Sequence, residues 1–152
     1  MFTGKLTHSL DEKGRIRIPA RFRDKLGAEP FITYGDGCLL IMPKDYADKK
    51  FNDHFKDSDF TDLEKAPLMR YLLRGVTAEE DKQGRILLPA DMIDFGGFTK
   101  ELVTLGMWNY LELWDEERLK EKESGMTYAS VVSKLSSLSK ESAKKDNEND
   151  GD

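Results

Sequence analysis

Short stretches with an apolar/polar period of two alternate with stretches of helical period as far as Asp115, and glycine and proline punctuate them. Arg15-Ile16-Arg17-Ile18 and Arg85-Ile86-Leu87-Leu88 each follow a glycine and each stop at a proline. They predict two short strands, because proline lacks the N–H that a further ladder bond needs. Gly14 and Gly84 supply the positive φ that a tight connection into each strand requires. Ala20–Leu26 and Ala90–Phe95 then predict short helices, and Phe31–Tyr34, Cys38–Met42, Leu102–Leu105 and Tyr110–Trp114 predict further strands. Helices are also expected from Pro43 to Phe55, along the apolar face of Leu68, Met69, Leu72 and Leu73, and from Asp115 as N-cap to about Glu123. Thr61-Asp62-Leu63-Glu64 reads as a capping box ahead of the second of these.

The pattern occurs twice. Asp11–Ala20 aligns with Asp81–Ala90 at an offset of 70, with seven of ten positions identical or similar. Ile32-Thr33-Tyr34-Gly35 matches Val103-Thr104-Leu105-Gly106 at an offset of 71. The chain is therefore a tandem duplication of a unit of roughly 60 residues. We assign residues 1–55 to a first repeat with its following helix, and 56–75 to a linking helix. Residues 76–124 form a second repeat with its following helix, and 125–152 a C-terminal segment. From about residue 136 that segment is Ser, Lys, Glu, Asp and Asn with almost no apolar side chain, and it is expected to be disordered.

Charge changes the picture through its distribution. The 152 residues carry 24 basic and 29 acidic side chains, a net charge of −5. Yet residues 1–25 hold seven basic against three acidic groups, and a local basic patch matters more to a polyanion than the total. The longest uncharged stretches, Leu102–Leu111 and Ser124–Ser133, fall well short of the roughly 20 residues of a membrane helix. Met1–Lys5 has no apolar core of a signal peptide, so a soluble cytoplasmic protein without a membrane partner is expected. Cys38 lies in an apolar run and reads as a buried structural thiol. His8 and His54 have no metal-ligand spacing, and no nucleophile–base or phosphate-loop motif is present. No catalytic residue, metal, cofactor or small-molecule substrate is predicted, and the chain is read as a non-enzyme.

The candidate chemistry centres on Arg15 and Arg85, each just past a turn glycine. Asp11 and Asp81 precede them by four residues, where a carboxylate can fix the planar guanidinium fork. An aimed arginine can reach a guanine edge or a phosphate; a clasp that only holds the turn has the same spacing, and both readings stay open here. Lys13, Arg15 and Arg17 share one strand face, and Arg21 and Arg23 follow the proline. Five cations from 13 to 23 point to DNA. The second copy has Leu87, Asp91 and Ile93 where the first has Arg17, Arg21 and Arg23, leaving Arg85 and Lys82. Either these two alone reach the ligand, or the face of the second copy is covered by another subunit, which an apolar Leu87 at an outward position favours. Trp108, Tyr110 and Trp114 on the last hairpin read as core or interface rather than base-stacking residues, since no cation interleaves them.

The motifs Asp11-x-Lys13-Gly14-Arg15-Ile16-x-Ile18-Pro19-Ala20-Arg21-Phe22-Arg23, the second Asp81-x-x-Gly84-Arg85, and Gly106-x-x-Asn109-Tyr110-Leu111-Glu112-Leu113-Trp114-Asp115 resemble the MraZ family. Each repeat is similar to the SpoVT/AbrB domain. The resemblance spans about residues 1–120. It implies a β-rich α+β fold, a double swapped-hairpin barrel built from the two repeats with helices appended. It further implies a nucleoid-associated DNA-binding transcriptional regulator, usually a repressor, of the bacterial division and cell-wall (dcw) gene cluster. Such a protein binds repeated promoter boxes in double-stranded DNA as a ring-shaped homo-oligomer. The DNA-binding residues expected are Arg15 and Arg85, with Lys13, Arg17, Arg21, Arg23 and Lys82; Asp11, Gly14, Asp81 and Gly84 shape and orient the turns. The alternative is an oligomeric scaffold that does not bind DNA.

Overall fold

The computed structural model describes residues 1–149 and is a mixed α+β arrangement with antiparallel sheets. The first repeat runs β1 (Lys5–Ser9), β2 (Arg15–Arg17), α1 (Ala20–Leu26), β3 (Phe31–Tyr34), β4 (Leu39–Met42) and α2 (Lys44–Phe55). After α3 (Ala66–Leu73) the same order returns as β5 (Val76–Thr77), β6 (Arg85–Leu87), α4 (Ala90–Gly96), β7 (Glu101–Gly106), β8 (Leu111–Asp115) and α5 (Glu116–Lys122). A last helix, α6, spans Tyr128–Asn149.

The repeats exchange strands. Six strands form one sheet in the order β1-β7-β8-β4-β3-β5. The first strand of each copy thus lies on the third strand of the other: Lys5 opposes Leu105, and Phe31 opposes Thr77. The second strands pair with each other as a separate antiparallel ribbon, with Arg15 opposite Leu87, Ile16 opposite Ile86 and Arg17 opposite Arg85. Sequence inspection missed β1 and β5. β1 has only Leu6 and His8 half-buried among exposed neighbours, and β5 is two residues long.

One core joins ribbon and sheet. Ile16, Ile18 and Phe22 from the first copy and Ile86, Leu88 and Met92 from the second pack with Ile32, Leu39, Ile41, Leu102, Leu111 and Leu113. Full burial of each aliphatic side chain contributes roughly 1.5–3 kcal/mol, which is what holds so short a ribbon in register. Cys38, Val103, Trp114 and Leu119 form a second cluster. The Cys38 thiol is buried as expected, and burial with Glu112 nearby pushes its pKa up. Asp115 caps the last helix of this unit through the Arg118 N–H (3.2 Å).

Leu87 is 64% exposed in the single chain, on the outward face where alternation placed it. Two sequence expectations are corrected. The Thr61–Glu64 capping box does not form; Pro67 sits in the first turn of α3 and the Asp62 carboxylate receives the Lys65 N–H instead (3.2 Å). Residues 136–149, expected to be disordered, belong to α6, while residues 150–152 lie outside the described residues. Val131, Val132, Leu135 and Leu138 recur at helical spacing, a stripe that a window starting at 136 cuts in two. Thr127 and Ser130 cap the start of α6 reciprocally, each side-chain oxygen taking the other's N–H (3.1 and 3.0 Å).

Candidate nucleic-acid interface

Each Asp-x-x-Gly-Arg turn is closed by its aspartate. Asp11 Oδ1 accepts the N–H groups of Lys13 (2.9 Å) and Arg15 (2.8 Å), and Oδ2 accepts Arg15 Nε (2.7 Å). Asp81 does the same with Gln83 (2.8 Å), the Arg85 N–H (3.0 Å) and Arg85 Nε (2.9 Å). Positive φ at Gly14 (78°) and Gly84 (75°) lets the chain fold back so that the arginine reaches its own aspartate four residues earlier. The Arg15 N–H and guanidinium hold the Asp11 carboxyl below the usual carboxylate range, and Arg85 does so for Asp81.

The clasp aims the arginines without consuming them. It occupies Nε alone; the two terminal nitrogens of Arg15 and of Arg85 have no partner among the described residues. Those nitrogens are the fork that takes a guanine O6/N7 edge or two phosphate oxygens.

The ribbon register gathers the arginines. Ile16 and Ile86 face the core, so Arg15, Arg17, Arg85 and Leu87 share the outward face. Arg17 lies directly opposite Arg85 and has no acidic partner among the described residues. Like charges directly opposed destabilise a ribbon unless an anion offsets them.

The remaining expected residues are placed unequally. The Lys13 and Lys82 side chains, in the turns, are exposed and have no partner among the described residues. Arg21 is exposed but leans on the N-terminal segment, one terminal nitrogen donating to Thr3 O (3.1 Å) and its carbon 5.5 Å from the Phe22 ring centroid. Arg23 is held by Glu80, Nε at 3.2 Å and Nη2 at 2.9 Å, which raises its pKa. That pair joins residues 57 apart and no local sequence signal announces it. His8 is the other group that sequence reading passed over. Its Nε2 shares a 2.6 Å hydrogen bond with the Thr104 hydroxyl, and burial lowers its pKa against a smaller opposing effect of Glu101. On the last hairpin, Trp114 is buried, while Trp108 is half exposed and bridged through its backbone to Phe2. Among the described residues no cluster of His, Cys, Asp and Glu could hold a metal ion, and no helix is long and apolar enough to cross a membrane.

The family model of the MraZ protein matches residues 1–68 and 72–146. A Clostridium beijerinckii protein named Transcriptional regulator MraZ is 36% identical over 141 residues, covering 91% of this chain and 99% of the relative. A Moorella thermoacetica protein of the same name is 35% identical over 140 residues, covering 89% and 96%. One from Carboxydothermus hydrogenoformans is 38% identical over 120 residues, covering 77% and 82%. With both repeats and most of α6 inside the matched ranges, the chain belongs to the MraZ family.

Proposed function

We propose that the chain is a sequence-specific DNA-binding transcription regulator, a repressor of the bacterial dcw cluster that sits on repeated promoter boxes as a ring-shaped homo-oligomer in the nucleoid. The observation that carries this reading is the outward face of the β2–β6 ribbon, where two of three arginines are aimed by aspartates with their terminal nitrogens free. A two-stranded ribbon fits the major groove of B-DNA. The exchanged strands and the ribbon close, on this reading, into a swapped-hairpin barrel that keeps the face rigid. The relatives' shared name supports regulation of transcription.

Arg15 and Arg85 read base edges or adjacent phosphates. Arg17, Lys13, Lys82 and Arg21 hold the DNA backbone and set affinity rather than sequence. Arg23 joins them only by leaving Glu80. One ribbon offers a small surface, so useful affinity comes from several copies on spaced boxes. Leu68, Tyr71 and Leu73 on α3 are exposed apolar groups available for self-association.

Fluorescence anisotropy with duplex DNA from upstream of the protein's own gene tests the proposal. Binding should prefer that duplex over a scrambled one and weaken with salt, log K falling by about 0.9 per log unit of salt for each phosphate engaged. Equal affinity for both duplexes would overturn sequence-specific reading, and absence of salt-dependent binding to either would leave the oligomeric scaffold as the better reading.

A further inference from the structure

Outside the ribbon, the structure carries an unfilled apolar pocket and an exposed aromatic side chain that fit each other. The pocket has a volume of about 210 Å³ and is lined by Leu40, Met42, Phe51 and Leu72, with Tyr46 and Lys50. An enclosed cavity of about 150 Å³ accommodates benzene, so this more open pocket has room for a phenyl ring. Phe60 lies in the connection between α2 and α3 and is 93% exposed. Leu63 beside it is 77% exposed.

The segment that presents Phe60 is already ordered. Asp59 Oδ1 accepts the Thr61 N–H (2.8 Å) and also the Thr61 hydroxyl. The N–H of Asp62 bonds to Asp59 O (3.1 Å), and that of Leu63 to Thr61 O (3.0 Å). A partner would therefore meet a preorganised knob and lose little entropy in fixing it. Charge agrees with shape: residues 57–64 hold Asp57, Asp59, Asp62 and Glu64 and no basic side chain, whereas the pocket is lined by Lys50.

We propose that a second copy of this chain fills the pocket, seating its Phe60 against Leu40, Met42, Phe51 and Leu72, with its acidic 57–64 segment beside Lys50. Every copy carries both a knob and a pocket, so the contact closes into a pair or propagates into a ring. This rests on the self-association proposed above and names the surface that carries it.

Light-scattering mass at micromolar concentration, with melting curves to verify folding, tests it using three variants. Phe60→Ala removes the knob, Leu72→Phe fills the pocket, and Lys50→Glu reverses the charge without touching the core. Each should give a folded protein of smaller mass than the unsubstituted chain. Mixing Phe60→Ala with Leu72→Phe should restore a two-chain species, because one supplies the open pocket and the other the knob. Lys50→Glu takes the place of Leu72→Phe as the pocket-side test if the latter fails to fold. A folded Phe60→Ala protein of undiminished mass would overturn the seating of Phe60 alone, as would a mixture of two folded variants that stays dissociated. An unsubstituted chain that remains at 17.4 kDa at every concentration would contradict self-association itself.

Discussion

The two turn–strand units agree where the contacts are local and part company where they are not. Matching distances in the two clasps differ by no more than 0.2 Å: 2.7 against 2.9 Å from Nε to carboxylate, and 2.8 against 3.0 Å from the arginine N–H. Their surroundings have diverged. Lys13, Arg17, Arg21 and Arg23 stand where the second copy has Gln83, Leu87, Asp91 and Ile93. The Arg23–Glu80 ion pair occupies the positions at which the other half has Ile93 and Leu10, half-buried and packed on the core. The Asp-x-x-Gly-Arg clasp depends on five consecutive residues and survives as a unit. The field around it is set by residues that the clasp does not need. Duplication thus kept two aimed arginines and left one of them in a strongly basic arm and the other in a nearly neutral one.

The inner face of the ribbon should show the equivalence most strongly. Ile16 and Ile86 are both fully buried, so Ile16→Ala and Ile86→Ala should each cost about 2–5 kcal/mol of stability, by similar amounts. Urea unfolding checks this, and markedly unequal losses would break the symmetry of the core. The outer face should show the difference. Leu87→Arg, which makes the second arm resemble the first, should steepen the salt dependence of DNA binding by about one phosphate contact, and Arg17→Leu should flatten it by as much. Anisotropy titrations at several salt concentrations read both.

The smallest expected effect is on acid stability. The folded pKa values of Asp11 and Asp81 lie below the ordinary 3.8, so their stabilisation is present above 3.8 and is lost as pH falls through the lowered values. Melting temperatures from about pH 7 to about pH 3 should show Asp11→Asn and Asp81→Asn losing equal parts of the acid response. His8 adds a separate window. Its folded pKa is lowered from 6.5, so its contribution is lost as pH falls from 6.5 through that lowered value, and His8→Gln should remove this step alone.

Much of the site was legible in the sequence because it is local. Asp11 and Arg15 are four positions apart, the glycine marks the turn, and alternation puts Ile16 inward and Arg15 and Arg17 outward. The pairing of β2 with β6 was not legible from the residues themselves. Strands of three residues carry little periodicity, and their register is set by a core assembled from both repeats. Alternation did place Leu87 outward, but only the register shows that it stands directly opposite Arg15. Glu80 was invisible as a partner of Arg23 for the same reason, since only the exchanged strands bring them together. α6 was misread for a different reason, a stripe of Val131, Val132, Leu135 and Leu138 followed by charge too dense to look structured.

The central claim is that the clasped arginines face outward to read DNA rather than merely to hold their turns. The most direct test compares Arg15→Ala, Arg85→Ala and the double variant for affinity to the upstream and scrambled duplexes, with melting curves on the same samples. Each single substitution should cost about 1–3 kcal/mol of discrimination per engaged copy while the melting temperature stays near that of the unsubstituted chain. A well-folded double variant that still prefers the upstream duplex as strongly as before would contradict the claim and leave Arg15 and Arg85 as structural clasps.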